Sequence, residues 1–254
     1  TVATLSGKPS YTTQWDTTAS SQRKWGLIMD ASLVHLVVAT LAFVVSHFVM
    51  SGPLRGALMA KLGTQAFLLL YSFVSIGTLA WAIVVFDRTD AGSALWDGMH
   101  PLSWALASML TIVATAFLLP SFSRNPALPG NNAAGLGTVI PSGVFKITRH
   151  PMMWAIALWA LGHIIAAPTG RSIILMAGLI VLALLGSHFQ DKRKGEWNKR
   201  EYGPWLRRTS FWPRFEHSGE IGVIWIIAFL VWFLITWAHY HFFSLPAGLW
   251  LWIG

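Results

Sequence analysis

The sequence predicts an all-α polytopic membrane protein: a transmembrane helix bundle of about six spans with both termini on the outer, periplasmic side. Three observations carry this prediction. Hydrophobic residues make up 54% of the 254 positions and charged residues only 11%, more apolar side chain than one soluble core hides. The apolar residues fall in runs near the roughly 20 residues that cover a hydrocarbon core of about 30 Å. The positive residues are bunched into alternate connections, the pattern of the positive-inside rule.

In chain order, residues 1–24 form a polar tail rich in Thr and Ser. The tail lacks the apolar stretch of a cleavable signal, so insertion is expected to rely on the first span of a single membrane domain over residues 25–254. The expected spans are 25–50, 65–86, 102–120, 151–168, 172–189 and 221–243. The fourth and fifth are separated only by PTGRS, a tight Pro-Gly turn that predicts an antiparallel hairpin of rather short helices. No internal repeat or Gly/Ser linker divides the domain.

With six spans, one side receives Arg55, Lys61, Arg124, Lys146, Arg149, Lys192, Arg193, Lys194, Lys199, Arg200, Arg207, Arg208 and Arg214. The other receives Lys8, Arg23, Lys24, Arg88 and Arg171 with the acids Asp87, Asp90 and Asp97. The richer set is expected to be cytoplasmic, placing the chain in a bacterial inner (cytoplasmic) membrane. The bilayer accounts for the excess of 18 Lys+Arg over 10 Asp+Glu, and no nucleic-acid partner is expected. The loop SRNPALPGNNAAGLGTVIPSG is expected to be irregular. It has neither the P-loop pattern nor a G-x-G-x-x-G between strand and helix. The basic segment 191–218 reads as a second polar loop.

Cysteine is absent, which excludes disulfides, iron–sulfur ligation and a thiolate ligand and leaves histidine as the metal-binding residue. His163 lies about 13 residues into the fourth span, roughly 20 Å along its axis. Ionisable residues at such depth face a partner or a site, so His163 is either a neutral, hydrogen-bonded core histidine or a metal or haem ligand. Arg149-His150-Pro151 opens the same span: proline suits a first helical turn, and Arg149 suits headgroup depth. His150 and His163 are too far apart on one helix to share a metal. By depth alone His35 is the matching partner for His163, while His47 and His188 lie near His150. A G-x-S-x-G elbow and paired intramembrane carboxylates are both missing, which argues against hydrolysis.

The segments SHFVMSGPLRGALMAKLGTQAFLLLYSFVSIGTLAW, SFSRNPALPG, GVFKITRHPMMWAIALWALGHIIA and GSHFQDKRKGEWNKREYGPWLRRTSFWPRF resemble, in order, those of the NnrU family. That family includes 15-cis-zeta-carotene isomerases. The resemblance implies an integral membrane protein in which haem b promotes cis–trans isomerisation of a carotenoid without net redox change. It further implies His47 and His163 as the haem ligands, whereas depth prefers His35; His35, Arg149 and His150 stand as further cofactor-binding candidates. Where the isomerase has a cysteine three residues before the ligand histidine, this chain has Ala160. Two alternatives stand beside this reading. One is a non-enzymatic subunit of a larger pigment or redox assembly, contacted through the N-terminal tail. The other follows from similarity of Arg-His-Pro and GEWNKREYGPWLRRT to isoprenylcysteine and phospholipid methyltransferases, with His150, Glu196 and Glu201 as counterparts of the residues that hold S-adenosylmethionine.

Overall fold

Proline and glycine mark where the chain enters and leaves its helices. The structure, a computed structural model, describes residues 31–123, 125 and 135–250, and every regular element among them is helical. The apolar run α1 (Ala31–Ser51) ends at Gly52-Pro53, after which comes the short α2 (Arg55–Leu62). Gly63, at φ 78°, turns the chain into α3 (Thr64–Arg88), a left-handed conformation that glycine adopts without the Cβ penalty. The next helix, α4 (Pro101–Leu118), begins with Pro101, and the His100 ring accepts a hydrogen bond from the Leu102 N–H. A 3-10 turn, Leu119–Phe122, closes it.

After the one-turn α5 (Val144–Ile147), Pro151 opens α6 (Pro151–Ala166) and the PTG turn leads into α7 (Gly170–Trp197). The chain continues through α8 (Lys199–Arg208), a 3-10 stretch over Phe215–Ile221 and α9 (Ile224–Phe243).

Five of these helices are long and apolar enough to cross a membrane, and α6 is an apolar helix of 16 residues, about 24 Å long at 1.5 Å per residue. The chain is therefore a multi-pass membrane protein. The helical pair expected around PTGRS is present as α6 and α7, packed along their length.

Two expectations need correction. The fifth span runs past residue 189 to Trp197, and the segment read as a basic loop is mostly helical, because QDKRKGEW extends α7 and KREYGPWLRR forms α8. The first-span residues 25–30, the tail 1–24 and residues 126–134 of the Gly/Pro-rich loop lie outside the described residues.

Neighbouring helices form a row in the order α3, α1, α7, α6, α4, α9. Close approach within the row depends on small residues, the usual device where lipid removes the hydrophobic drive for helix association. A Cβ on Gly162 of α6 would sit 2.9 Å from Thr111 Cγ2 and 3.2 Å from the Ala107 carbonyl of α4. Gly178 of α7 similarly receives the Thr40 methyl of α1. One core cluster, including Leu36, Ala82, Ala160 and Leu175, joins α1, α3, α6 and α7; another, including Phe117, Ile147, Ala155, Tyr202 and Trp205, lies at the basic end. The outer faces carry exposed apolar side chains such as Phe73 and Ile76 on α3 and Leu230 and Leu234 on α9, as a lipid-facing surface requires.

Candidate functional site at the basic end of the bundle

Arg149 and His150 enter the bundle where α5 hands over to α6, and both meet one carboxylate. Arg149 Nε donates to Asp191 Oδ2 at 2.6 Å, and His150 Nε2 lies 2.8 Å from Asp191 Oδ1. The carboxylate accepts, so Nε2 carries the hydrogen. The side chains of Arg149, His150 and Asp191 are 14%, 1% and 10% exposed. In such surroundings an ion pair persists only when well hydrogen-bonded, and Arg149 Nη1 adds a bond to the Thr209 carbonyl at 3.3 Å. His150 Nδ1 is buried without a partner, leaving one nitrogen of the cluster uncommitted.

The segment after α8 completes the wall. Arg149 N–H donates to the Ser210 carbonyl at 2.8 Å, and Arg214 N–H to the Ile147 carbonyl at 2.9 Å. The Phe211 carbonyl accepts from Thr148 Oγ1 at 2.8 Å and Trp154 Nε1 at 2.9 Å. The T-R-H-P and T-S-F-W-P motifs, some 60 residues apart, are thus one bonded unit. The Phe211 ring lies against His150 and His188 with centroids 5.6 and 6.4 Å away. Tyr202, 2% exposed, packs below. Burial, then the Asp191 carboxylate, pushes its phenol well above the usual tyrosine range, so it stays protonated.

Beside this unit is an open cleft of about 580 Å³ whose lining includes Arg149, His188, Asp191, Glu196, Phe211 and Trp212. Its mixed charges and aromatic rings suit a polar or zwitterionic group at the membrane surface. Of the methyltransferase-type candidates, Glu196 reaches this cleft, whereas Glu201 accepts a hydrogen bond from the Gly137 N–H at 2.9 Å.

The other candidate histidines do not converge. His47 packs on Phe43 and on Tyr71 of α3, with ring centroids 4.7 and 5.2 Å away, and its Nδ1 donates to the Phe43 carbonyl. His163 lies over Trp159 at 4.3 Å and donates through Nδ1 to the Trp159 carbonyl at 2.8 Å. It is within electrostatic reach of His239 on α9. His35 meets Trp81 of α3 at 5.8 Å.

α1 and α7 run parallel, in contact at Leu33–Gly170, Thr40–Gly178, Phe48–Gly186 and Ser51–Arg193, while α6 returns antiparallel from the PTG turn. His47 is therefore beside Gly186 and His163 is near the start of α7, roughly 15 Å apart along the bundle axis at 1.5 Å per residue. They also point to opposite ends of the helix row. His35 matches His163 in level, as the depth argument predicts, but turns toward α3. The arrangement does not fit a haem held between His47 and His163, or between His35 and His163, of one chain.

A haem-loading experiment tests this arrangement. Purified protein supplied with haem b is expected to give no bis-histidine, low-spin spectrum that both His47→Ala and His163→Ala abolish; loss of one such spectrum in both variants would place the two histidines on one iron.

Comparison with known proteins adds the lineage. Residues 35–247 match the family model described as NnrU protein. This chain belongs to the NnrU family. The match takes in all the long apolar helices and both halves of the motif unit around Asp191. The NnrU chain is 26% identical over 193 residues to the chloroplastic 15-cis-zeta-carotene isomerase of Zea mays, covering 73% of this chain and 51% of that protein. It is 26% identical over 187 residues to the chloroplastic 15-cis-zeta-carotene isomerase of Arabidopsis thaliana, covering 71% and 49%. The chain spans about half the length of the curated relatives it matches. No solved structure matches it.

Sequence reasoning missed Asp191, Phe211 and Trp212. Asp191 carried one signal: it is the first charge after an apolar helix, one acid ahead of Lys-Arg-Lys. That position suits a carboxylate held by a cation from another helix.

Proposed function

We propose that this NnrU protein is a membrane-embedded cis–trans isomerase acting on a carotenoid-type polyene. The observation that carries the proposal is the similarity to two plant 15-cis-zeta-carotene isomerases across most of this chain. A long polyene partitions into the bilayer, so its enzyme needs an apolar surface open to lipid. A groove of about 450 Å³ between α4 and α9 meets that need, with Met109, Ile112, Phe229, Trp232 and Leu249 in its lining. Trp232 Nε1 donates to Thr111 Oγ1 at 2.9 Å, and Trp104 Nε1 donates to the Gly248 carbonyl at 2.6 Å. The first of these bonds holds the Trp232 ring in the wall of the groove. The membrane is the bacterial inner membrane, and by the positive-inside rule the basic end faces the cytoplasm.

Haem b, which the family resemblance implies, is checked by the pyridine haemochrome spectrum of the purified protein. His47 and His163, the pair the resemblance implies, are separated by α7 and by roughly 15 Å along the bundle axis.

The test uses cells that accumulate 15-cis-zeta-carotene and are kept dark to exclude photoisomerisation. Expression of this chain is expected to replace the 15-cis isomer with its 15-trans form on chromatography, whereas an unchanged isomer ratio at equal membrane expression would rule the proposal out.

A further inference from the structure

We infer that Arg55 and Arg193 bind the phosphate of an acidic phospholipid at the basic end of α1, α2 and α7. Arg193 Nη1 donates to the Ser51 carbonyl that ends α1, which brings its guanidinium to the start of α2. There Arg55 lies over the Phe67 ring, 5.3 Å from its centroid, with its Nε buried and without a hydrogen-bond partner. The two guanidinium groups repel each other. Lys194 lies within the field of both and over the Tyr202 ring at 5.3 Å, and the Tyr71 phenol is within electrostatic reach of the two arginines.

Among the described residues, neither Arg55 nor Arg193 forms an ion pair with a carboxylate. Asp191, which also acts on Lys194, has one oxygen on Arg149 and the other on His150. Like charges gathered away from bulk water are costly, and an anion between them removes that cost. The planar guanidinium forks match phosphate oxygens in pairs, and a tyrosine hydroxyl supplies a further donor.

The surroundings favour a lipid over free phosphate. The cluster lies at headgroup level, where basic pockets on helix ends hold anionic lipids. Next to Arg55, Leu54 is 45% exposed, and one turn from Phe67 on α3, Leu70 is 38% exposed, apolar surface beside the cluster that acyl chains can cover. A free phosphate would leave that apolar flank unused.

The experiment compares retention of phosphatidylglycerol and phosphatidylcholine by the full chain after detergent exchange, read by native mass spectrometry. Wild type is expected to prefer phosphatidylglycerol by about tenfold or more, as two interfacial cations supply. Arg55→Gln with Arg193→Gln should lose the preference, while the charge-matched Lys61→Gln with Arg207→Gln keeps it. Arg55→Lys, which retains charge but loses the fork, should weaken it and serves if the double variant does not fold. Equal retention of the two lipids by wild type, or an unchanged preference in a folded Arg55/Arg193 variant, would overturn the inference. Displacement of phosphatidylglycerol by millimolar inorganic phosphate would make free phosphate the ligand and overturn the lipid assignment; resistance to it supports the lipid.

Discussion

Replacing Asp191 by Ala is expected to destabilise the protein by about 3–5 kcal/mol, the usual cost of removing one partner from a buried ion pair. The substitution strands the Arg149 guanidinium, 14% exposed, beside an imidazole that has lost the partner of its Nε2. The damage should spread beyond α7, because Arg149 also ties down the Thr209–Ser210 segment. Asp191→Asn, which keeps one acceptor oxygen, should fall between wild type and Ala. Arg149→Met combined with Asp191→Leu should recover much of the loss, since no buried charge remains uncompensated. Thermal unfolding in mild detergent checks all four proteins. An Asp191→Ala melting temperature within a degree or two of wild type would show that the triad contributes little.

The second large effect is expected at the α4–α6 contact. Gly162 has room for hydrogen only: a Cβ there would crowd both Thr111 Cγ2 and the Ala107 carbonyl. Backbone cannot yield as a side chain does, so Gly162→Leu must separate the helices, at a cost of about 1–3 kcal/mol or more. Because Thr111 also accepts the Trp232 indole hydrogen bond, the separation should open the α4–α9 groove too. Gly77→Leu is the control. It lies on the exposed side of α3 with nothing within 4 Å of an added Cβ, and should be neutral or slightly stabilising. Loss of the monodisperse peak in Gly162→Leu but not Gly77→Leu supports this packing; equal behaviour would contradict it.

Much of this architecture was legible because lipid imposes a simple demand. A helix must be long and apolar enough to span, and Pro101, Pro151 and the PTG turn mark the starts and reversals. The end of the fifth span was harder to read. QDKRKGEW reads as loop by hydropathy, yet it stays helical because nothing in it breaks a helix and its residues pack on α8. The level of His35 relative to His163 followed from 1.5 Å per residue, but their facing did not. Facing depends on which helices are neighbours, and α7 packs between α1 and α6 in the row although it follows both in sequence. Asp191 was hidden for a related reason: its partners Arg149 and His150 come from the junction before α6, more than 40 positions earlier.

The most direct measurement of the central claim uses purified protein in liposomes, in the dark, with a molar excess of 15-cis-zeta-carotene. Conversion of the 15-cis double bond is expected well beyond one polyene per chain, with Gly162→Leu impaired and Gly77→Leu equal to wild type. Binding of the polyene without any change in its isomer ratio would contradict it and make the protein a carotenoid-holding subunit.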